Sequence, residues 1–397
     1  MFFSWYKKFS SQPHQPFFTS GILFFILFMS LFVATYSNMF ILDSSVLTYH
    51  AYSMIFVIFI QFFLGFLFVV FPRFLVQADI ERKVYMNLFL LYFFASLGIF
   101  LTLVFYSKIT FIFQIMMLIA QIMSFKLLYS IHKKSLVKVK EDTKWVLIAF
   151  FSGLIFHGLF IISNLDFSFS YLISKFAING GFYLFIFMII FTISQRMIPF
   201  FTTSKAPDYK INKSENLLTL VFVFLALKVV LLSFDNAKLN LIADVPLFII
   251  ITKELIRWKL PFFKVPAIVR VLFLGLYWIP VAFFISILES LMAFYDPSIV
   301  FEKAVIHTLA LGYFITLLVG FGTRVILGHS GSIIHANNFA IFIFISVQII
   351  TILRIFTSFS LNWGLNYMAL LNLTASLLII GLLLWSSKYI VILLKGK

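Results

Sequence analysis

Residues 301–335 read FEKAVIHTLALGYFITLLVGFGTRVILGHSGSIIH and combine a membrane-spanning apolar run with three of the seven histidines in the chain. His307 lies near the start of the run, and His329 and His335 follow its end in a polar segment that contains glycines. A helix rises about 1.5 Å per residue, so the distance from His307 to His329 is predicted to be roughly 33 Å, the thickness of a hydrocarbon core. A break at Gly320 would bring the two histidines together. The simpler prediction is two separate sites at opposite membrane faces.

The composition indicates an integral membrane protein. Of 397 residues, 62% are apolar and 11% are charged, and the mean hydropathy is +1.09. The first apolar run, residues 18–40, is followed by no small-residue cleavage pattern, so we expect a retained helix rather than a signal peptide. The absence of cysteine excludes disulfides, thiolate ligands, iron–sulfur clusters and thioether-linked haem. Any metal must therefore bind to histidine, methionine, tyrosine or carboxylate side chains.

Apolar runs of about 18 or more residues predict an all-α protein with twelve transmembrane helices in one polytopic membrane domain, residues 1–397. The run at 239–256 is the weakest because it is short and contains Asp244 and Pro246. No connecting loop is long enough for a soluble domain, so chemistry must take place within the bundle. The predicted helix cores are residues 18–40, 47–71, 84–106, 109–131, 145–164, 171–194, 217–235, 239–256, 267–292, 303–323, 338–357 and 364–387.

The basic residues lie mainly in alternate loops between these runs. The net charge is +16, and short basic loops are typical of the cytoplasmic side of a membrane protein. This rule places about 23 of the 30 Lys and Arg residues in the cytoplasm and about four outside, with both termini cytoplasmic. The charge is thereby explained by membrane topology, and we expect no nucleic-acid partner.

Three histidines fall in the outer half of the predicted bundle: His50, His157 and His307. A lone histidine inside a membrane is usually a hydrogen-bonded packing residue. Three at matching depth predict a metal site, since imidazole ligates both haem iron and copper. Met54 lies one helical turn from His50 on the same face and is a candidate soft ligand, although methionine among phenylalanines is commonly a gap filler.

The cytoplasmic side carries a second set of candidates. His329 is flanked by glycines that predict a tight turn, and His14 and His335 are lower-ranked candidates on the same side. Arg196 and Arg324 each close a long apolar run. They either snorkel to the membrane surface or hold haem propionates or another buried anion.

Four further polar side chains within predicted helices are second-rank candidates. Lys228 and Asp244 would each be costly in isolation at the bilayer centre, and pairing with each other would remove much of that cost. Tyr52 and Tyr313 are candidate proton or electron partners of a metal.

Five segments resemble a known family when they are taken together and in order. They are HQPFF (14–18), YHAYSMIFVIFIQFFLGFLF (49–68), QRMIPFFT (195–202), HTLALGY (307–313) and TRVILGHSG (323–331). This set resembles the NnrS family of twelve-helix, haem- and copper-containing bacterial membrane proteins associated with nitric oxide metabolism. The resemblance implies non-covalent haem b and copper as cofactors, a multi-pass location in the bacterial inner (cytoplasmic) membrane, and a role in nitric oxide tolerance.

One segment departs from the family pattern, which typically reads HxHEMLFG at this point. His50 and Met54 match, whereas Tyr52 and Ser53 replace a histidine and a glutamate. We therefore expect either that the replaced groups are not ligands or that the metal site of this chain is altered. The residues that the resemblance implicates in cofactor binding are His50, Arg196, His307, Arg324 and His329.

Three hypotheses of function follow. The first is a metalloprotein that binds or detoxifies nitric oxide, or another diatomic ligand, under nitrosative stress. The second is a redox enzyme of the haem-copper oxidase or nitric oxide reductase type, which needs a polar proton path. The third is a secondary transporter, which is disfavoured because Pro199 and Pro246 do not occupy corresponding positions. The partners expected are the diatomic ligand and the lipid bilayer, and a homo-oligomer is left open. Candidates for the proton path are Gln61, Gln114, Gln121, Asn179 and Asp244.

Overall fold

The computed structural model describes residues 2–165, 167–234 and 236–395. Within these ranges the protein is helical and contains no strand. A short helix, α1, precedes twelve longer helices that correspond one for one to the predicted cores. The helices are α1 (Phe2–Phe9), α2 (His14–Tyr36), α3 (Val46–Phe74), α4 (Arg82–Phe105), α5 (Ser107–Lys134), α6 (Glu141–Ser163), α7 (Ser170–Thr203), α8 (Leu217–Leu231), α9 (Leu241–Trp258), α10 (Ala267–Tyr295), α11 (Ala304–His329), α12 (Asn338–Trp363) and α13 (Tyr367–Lys395).

Ten of these helices in the described ranges are long and apolar enough to cross a membrane. The exceptions are α1, which the sequence did not predict, together with α8 and α9. Helix α8 has only 15 residues, and α9 contains four charged side chains: Asp244, Lys253, Glu254 and Arg257. The fold is therefore that of an all-helical, multi-pass membrane protein with about twelve long helices, as predicted.

Two helix boundaries differ from the prediction in ways that affect candidate residues. Helix α2 begins at His14, so this histidine belongs to the helix and does not precede it. Helix α11 continues to His329 and is unbroken at Gly320. Arg324 and His329 thus lie on the last turns of the helix, because its final residues remain helical although they are more polar than the apolar run. His307 and His329 occupy opposite ends of α11, as the prediction of two separate sites requires.

The chain divides into two units by its packing. The first comprises the residues up to Ile189 and those from Ser386 onwards, and the second comprises Ile190–Trp385. In the first unit α2 packs against α3, α4 against α5, and α6 against α7. In the second unit α10 packs against both α9 and α11. The single polytopic domain expected from the sequence stays a prediction.

Three helices combine deep burial with π-helical turns. They are α3, α7 and α11, the most buried of the ten spans, and their π-helical segments are Ser53–Ile58, Gly181–Phe187 and Thr308–Ile315. Such a turn contains an extra residue and occurs frequently at functional sites. It also changes which backbone carbonyl oxygens accept a hydrogen bond from a backbone N–H of the same helix. In α3 the carbonyl of Phe56 accepts a hydrogen bond from the side chain of Gln121, at 3.2 Å.

Candidate functional site

Tyr52, Gln121 and His157 form a hydrogen-bonded chain inside the first unit. They come from α3, α5 and α6, and none of the three side chains is more than 1% exposed. Tyr52 Oη lies 2.9 Å from His157 Nε2, and Gln121 Oε1 lies 2.8 Å from His157 Nδ1. Both imidazole nitrogens of His157 are therefore engaged in hydrogen bonds.

The amide of Gln121 determines which imidazole nitrogen carries the proton. Its Nε2 donates to the Phe56 carbonyl, so its Oε1 faces His157, and an amide oxygen can only accept. Nδ1 of His157 must then be protonated. In the neutral ring the lone pair of Nε2 accepts the hydrogen bond from the Tyr52 hydroxyl. A carbonyl in the π-helical turn of α3 thus fixes, through Gln121, the tautomer of a histidine on α6.

Aromatic rings enclose the Tyr52–His157 pair. Phe56 stacks on the imidazole with 4.6 Å between ring centroids, and Phe160 stacks on the phenol ring at 4.7 Å. A hydrogen bond in such apolar surroundings is stronger than one in water. A metal bound to His157 would have to displace Tyr52 or Gln121 from a ring nitrogen. The contacts of His157 therefore favour a hydrogen-bonding role over the role of metal ligand that its predicted depth suggested.

His50 and Met54 lie in the first turns of α3, and both are half-buried. The imidazole of His50 packs against Phe32 of α2, with 4.6 Å between ring centroids. Met54 belongs to the π-helical segment. Their expected role as metal ligands stays a prediction.

Tyr313 is the second buried tyrosine among the candidates. It lies in the π-helical segment of α11, and its Oη is 2.8 Å from Ser194 Oγ of α7. Both side chains are fully buried. The hydroxyl partner here is an alcohol, which is not a base, so this contact differs chemically from the contact of Tyr52 with an imidazole.

His307 occupies the first turn of α11. Its Nδ1 lies 2.9 Å from the backbone oxygen of Lys303. A carbonyl can only accept, so Nδ1 carries the proton and the lone pair of the neutral ring is on Nε2. Metal-ligating histidines commonly donate their second ring N–H to a backbone carbonyl in this way. His307 therefore has the tautomer that ligation through Nε2 requires.

Arg324 lies near the opposite end of α11. Its guanidinium carbon is 3.8 Å from the centroid of the Phe201 ring of α7, a cation–π contact. Its Nη1 is buried and has no hydrogen-bond partner among the residues that the structure describes. A buried donor without an acceptor is costly, and a carboxylate or phosphate oxygen would satisfy it. This end of α11 therefore fits an anionic group.

The basic loop between α7 and α8 is tied to helices of the second unit. Lys213 Nζ donates to Gln195 Oε1 on α7. Tyr209 Oη donates to the backbone oxygen of Trp258 at 2.9 Å. Burial raises the pKa of Tyr209 to about 12, so the phenol remains a donor at neutral pH. Arg196 follows Gln195 inside α7, where it is half-buried.

The other candidate histidines lie at helix ends or in a loop. His14 is buried at the start of α2, His329 is half-buried as the last residue of α11, and His335 is exposed in the segment that follows. Gly331 has a φ of 73° in the turn after His329, whereas Gly328 is part of the helix, so only one of the two glycines shapes the turn expected around His329. In the described parts of the chain, no three His, Cys, Asp or Glu side chains are grouped as ligands of one metal ion.

Lys228 and Asp244 form a fully buried ion pair, so their predicted pairing is confirmed. Lys228 Nζ lies 2.7 and 2.9 Å from the two carboxylate oxygens of Asp244. Ser286 Oγ of α10 donates to Asp244 Oδ2 at 2.6 Å. The cluster therefore joins α8, α9 and α10 through one charged contact.

Sequence reasoning missed several of these partners. Ser194 and Ser286 are each one of several hydroxyl residues within long apolar runs, and Lys213 is one of several lysines in its loop. Gln121 stood out as a polar residue in a predicted span, but not as the partner of a histidine. The only signal that could have found them is that a buried polar side chain in a membrane needs a partner on a neighbouring helix.

A model of the NnrS family, described as NnrS protein, matches residues 8–397, nearly the whole chain. A comparison with curated proteins returned no match.

Proposed function

Since this chain belongs to the NnrS family, we propose that it is a haem protein of the bacterial cytoplasmic membrane that binds nitric oxide and limits nitrosative damage. Family membership and the apolar helices make it a nitric-oxide-related membrane protein in the general sense. The cofactor, the membrane and the protective role are our proposal. Haem iron supplies the coordination chemistry that holds a diatomic ligand. The haem would be held without covalent links, because the chain has no cysteine.

The observation that carries this proposal is the unsatisfied Nη1 of Arg324. A haem propionate is a carboxylate, and arginine is the side chain best suited to bind one. Arg324 and His329 are five residues apart on α11, about 7.5 Å along the helix axis. A haem held at this end of α11 would take His329 as its iron ligand and Arg324 as the partner of a propionate, while Phe201 provides an aromatic surface beside the guanidinium.

His307 belongs to a different site in this proposal. It is separated from Arg324 by 17 helical residues, about 25 Å along the axis, which is too far for one haem to contact both. With the proton on Nδ1, its Nε2 would be the atom that ligates a second metal. The copper implied by the family needs further ligands besides His307. Among the described residues, no three His, Cys, Asp or Glu side chains lie close enough together to supply them. We therefore assign no reaction step to copper.

The test is the haem and metal content of the purified protein, with absorption spectra recorded before and after nitric oxide is added. His329→Ala should lower the haem content several-fold because it removes the proposed iron ligand. Arg324→Gln should weaken haem retention, whereas Arg324→Lys should preserve part of it because the positive charge remains. His335→Ala is the matched control, an exposed histidine six residues beyond His329, and should leave the haem content unchanged.

Two outcomes would contradict this assignment. An iron-free, colourless preparation from haem-replete cells would refute the haem proposal itself. Loss of haem in His307→Ala with full retention in His329→Ala would place the haem at the other end of α11, and Arg324 would then need a different anion.

A further inference from the structure

We propose that Tyr52 is a redox-active tyrosine, whose phenolic proton passes to His157 when a small uncharged radical oxidant removes an electron from the ring. The class of oxidant is a nitrogen oxide radical, of which nitrogen dioxide is the simplest example. The proposal goes beyond nitric oxide binding and does not require a haem. It depends on the hydrogen bond between the two side chains and on the surroundings of that bond.

The phenol and the imidazole are already placed for proton transfer. Tyr52 Oη and His157 Nε2 are 2.9 Å apart, and the contact of Nδ1 with Gln121 Oε1 leaves the lone pair on Nε2. The proton can cross this hydrogen bond without rotation of either side chain. After the transfer both N–H groups of the imidazolium remain bonded, Nδ1–H to Gln121 and Nε2–H to the phenoxyl oxygen.

Burial makes a nearby base necessary for this chemistry. Tyr52 is almost completely buried and is stacked on Phe160. An oxidised phenol that kept its proton would be a cation radical in an apolar interior, where an unsolvated charge is costly. His157 accepts the proton, and its positive charge is shared through two hydrogen bonds. The same burial prevents the phenoxyl radical from coupling with a second phenoxyl radical.

The step balances as a one-electron reaction. The O–H bond of Tyr52 breaks, and an N–H bond forms at His157 Nε2. The phenol is oxidised to a neutral phenoxyl radical, while nitrogen dioxide takes up the electron and leaves as nitrite. An apolar one-electron reductant of the hydroquinone class reverses the change, and the proton returns from Nε2 to the phenoxyl oxygen.

Tyr313 provides a matched comparison within the same chain. It is as deeply buried as Tyr52 and also lies at a π-helical segment, but its hydroxyl contacts the alcohol of Ser194. An alcohol cannot take up the phenolic proton at this site. If burial alone made a tyrosine oxidisable, both tyrosines would react. If the imidazole is required, Tyr52 reacts in preference to Tyr313.

The experiment exposes the purified full-length protein to nitrogen dioxide, generated by pulse radiolysis of a nitrite solution saturated with nitrous oxide. Samples are frozen rapidly, and the tyrosyl radical is measured by electron paramagnetic resonance. The exposed tyrosines are first replaced by phenylalanine, and this parent protein serves as the wild type; they are Tyr106, Tyr129, Tyr171, Tyr277 and Tyr295. The parent and its Tyr313→Phe variant should give the same signal, and Tyr52→Phe should lose most of it. His157→Gln keeps a hydrogen-bonding side chain but removes the base, so its radical yield should fall several-fold. Heavy water should slow radical formation in the wild type, because a proton moves with the electron.

Equal signals from wild type and Tyr52→Phe, or an unchanged yield in His157→Gln, would overturn the proposal. If Tyr52→Phe does not fold, nitrotyrosine mapping of the wild type decides instead, since a second nitrogen dioxide adds to the ring of a phenoxyl radical. Nitration at Tyr52 supports the proposal, and nitration at Tyr313 without Tyr52 refutes it. Haem content is measured on the same samples, so that loss of haem is distinguished from loss of the radical.

Discussion

The pair of Lys228 and Asp244 shows how a charged side chain is tolerated when it is fully buried inside a helical protein. The desolvation cost of each ion is offset only when the partner is close and the remaining hydrogen bonds are made. Both conditions hold, because the ammonium faces both carboxylate oxygens and Ser286 donates to one of them. The sequence predicted the pair from the cost of leaving either charge alone. It could not predict Ser286, because α10 contains two serines and neither position indicates which one faces Asp244.

We therefore expect the removal of one charged partner to lower the free energy of unfolding more than the removal of both. Asp244→Asn removes the carboxylate that faces the buried ammonium of Lys228 and should lower the free energy of unfolding by about 3–5 kcal/mol. Lys228→Met combined with Asp244→Leu removes both charges and should be close to neutral. Reversible unfolding in mixed detergent micelles measures both variants. A double variant as unstable as the single one would show that packing at this position, and not charge, dominates.

Among the helices, the π-helical turns were the least predictable feature, and they position the candidate site. Hydropathy predicted the twelve helices α2–α13, and ten of them in the described ranges are long and apolar enough to cross a membrane. Hydropathy does not indicate which backbone carbonyl oxygen of a π-helical turn accepts a hydrogen bond from a side chain. The hydrogen bonds between Phe56 and Gln121 and between Gln121 and His157 therefore could not be predicted. The ends of α2 and α11 were missed for a related reason. Polar residues such as His14 and His329 can continue a helix beyond the apolar run.

The π-helical segments of α3 and α7 approach each other closely at Gly181. A Cβ atom at this position would lie 2.7 Å from Phe56 Cζ and 2.9 Å from Ile55 Cγ2. Gly181→Ala should therefore displace Phe56 from His157 and cost about 1–3 kcal/mol through overpacking. Gly158→Ala on α6 is the control, because the added Cβ would meet no side chain of the described residues within 4 Å. It should be neutral or gain about 0.5–1 kcal/mol from helix propensity. Thermal unfolding followed by tryptophan fluorescence compares the two, and equal stabilities would refute the close approach.

For the whole molecule, the number of membrane crossings is even whether or not α8 and α9 cross the bilayer. Helix α8, with 15 residues, is about 22 Å long, shorter than the roughly 30 Å hydrocarbon core. Its ion pair with α9 means that the two helices enter the bilayer together or not at all. Twelve crossings or ten crossings both leave the termini on the same side. The basic residues in alternate loops predict that this side is the cytoplasm.

The complete lack of cysteine makes this orientation directly testable. Lys138 is exposed in the loop after α5, and Lys108 is exposed at the beginning of the same helix, so the two mark opposite ends of one membrane crossing. In intact spheroplasts an impermeant thiol reagent should label Lys108→Cys and leave Lys138→Cys unmodified. After permeabilisation both should react, which confirms that each position is accessible. Labelling of Lys138→Cys alone in intact spheroplasts would invert the orientation and place His307 on the cytoplasmic side. The proposed haem end of α11, with Arg324 and His329, would then face outward, contrary to the positive-inside assignment of its arginine.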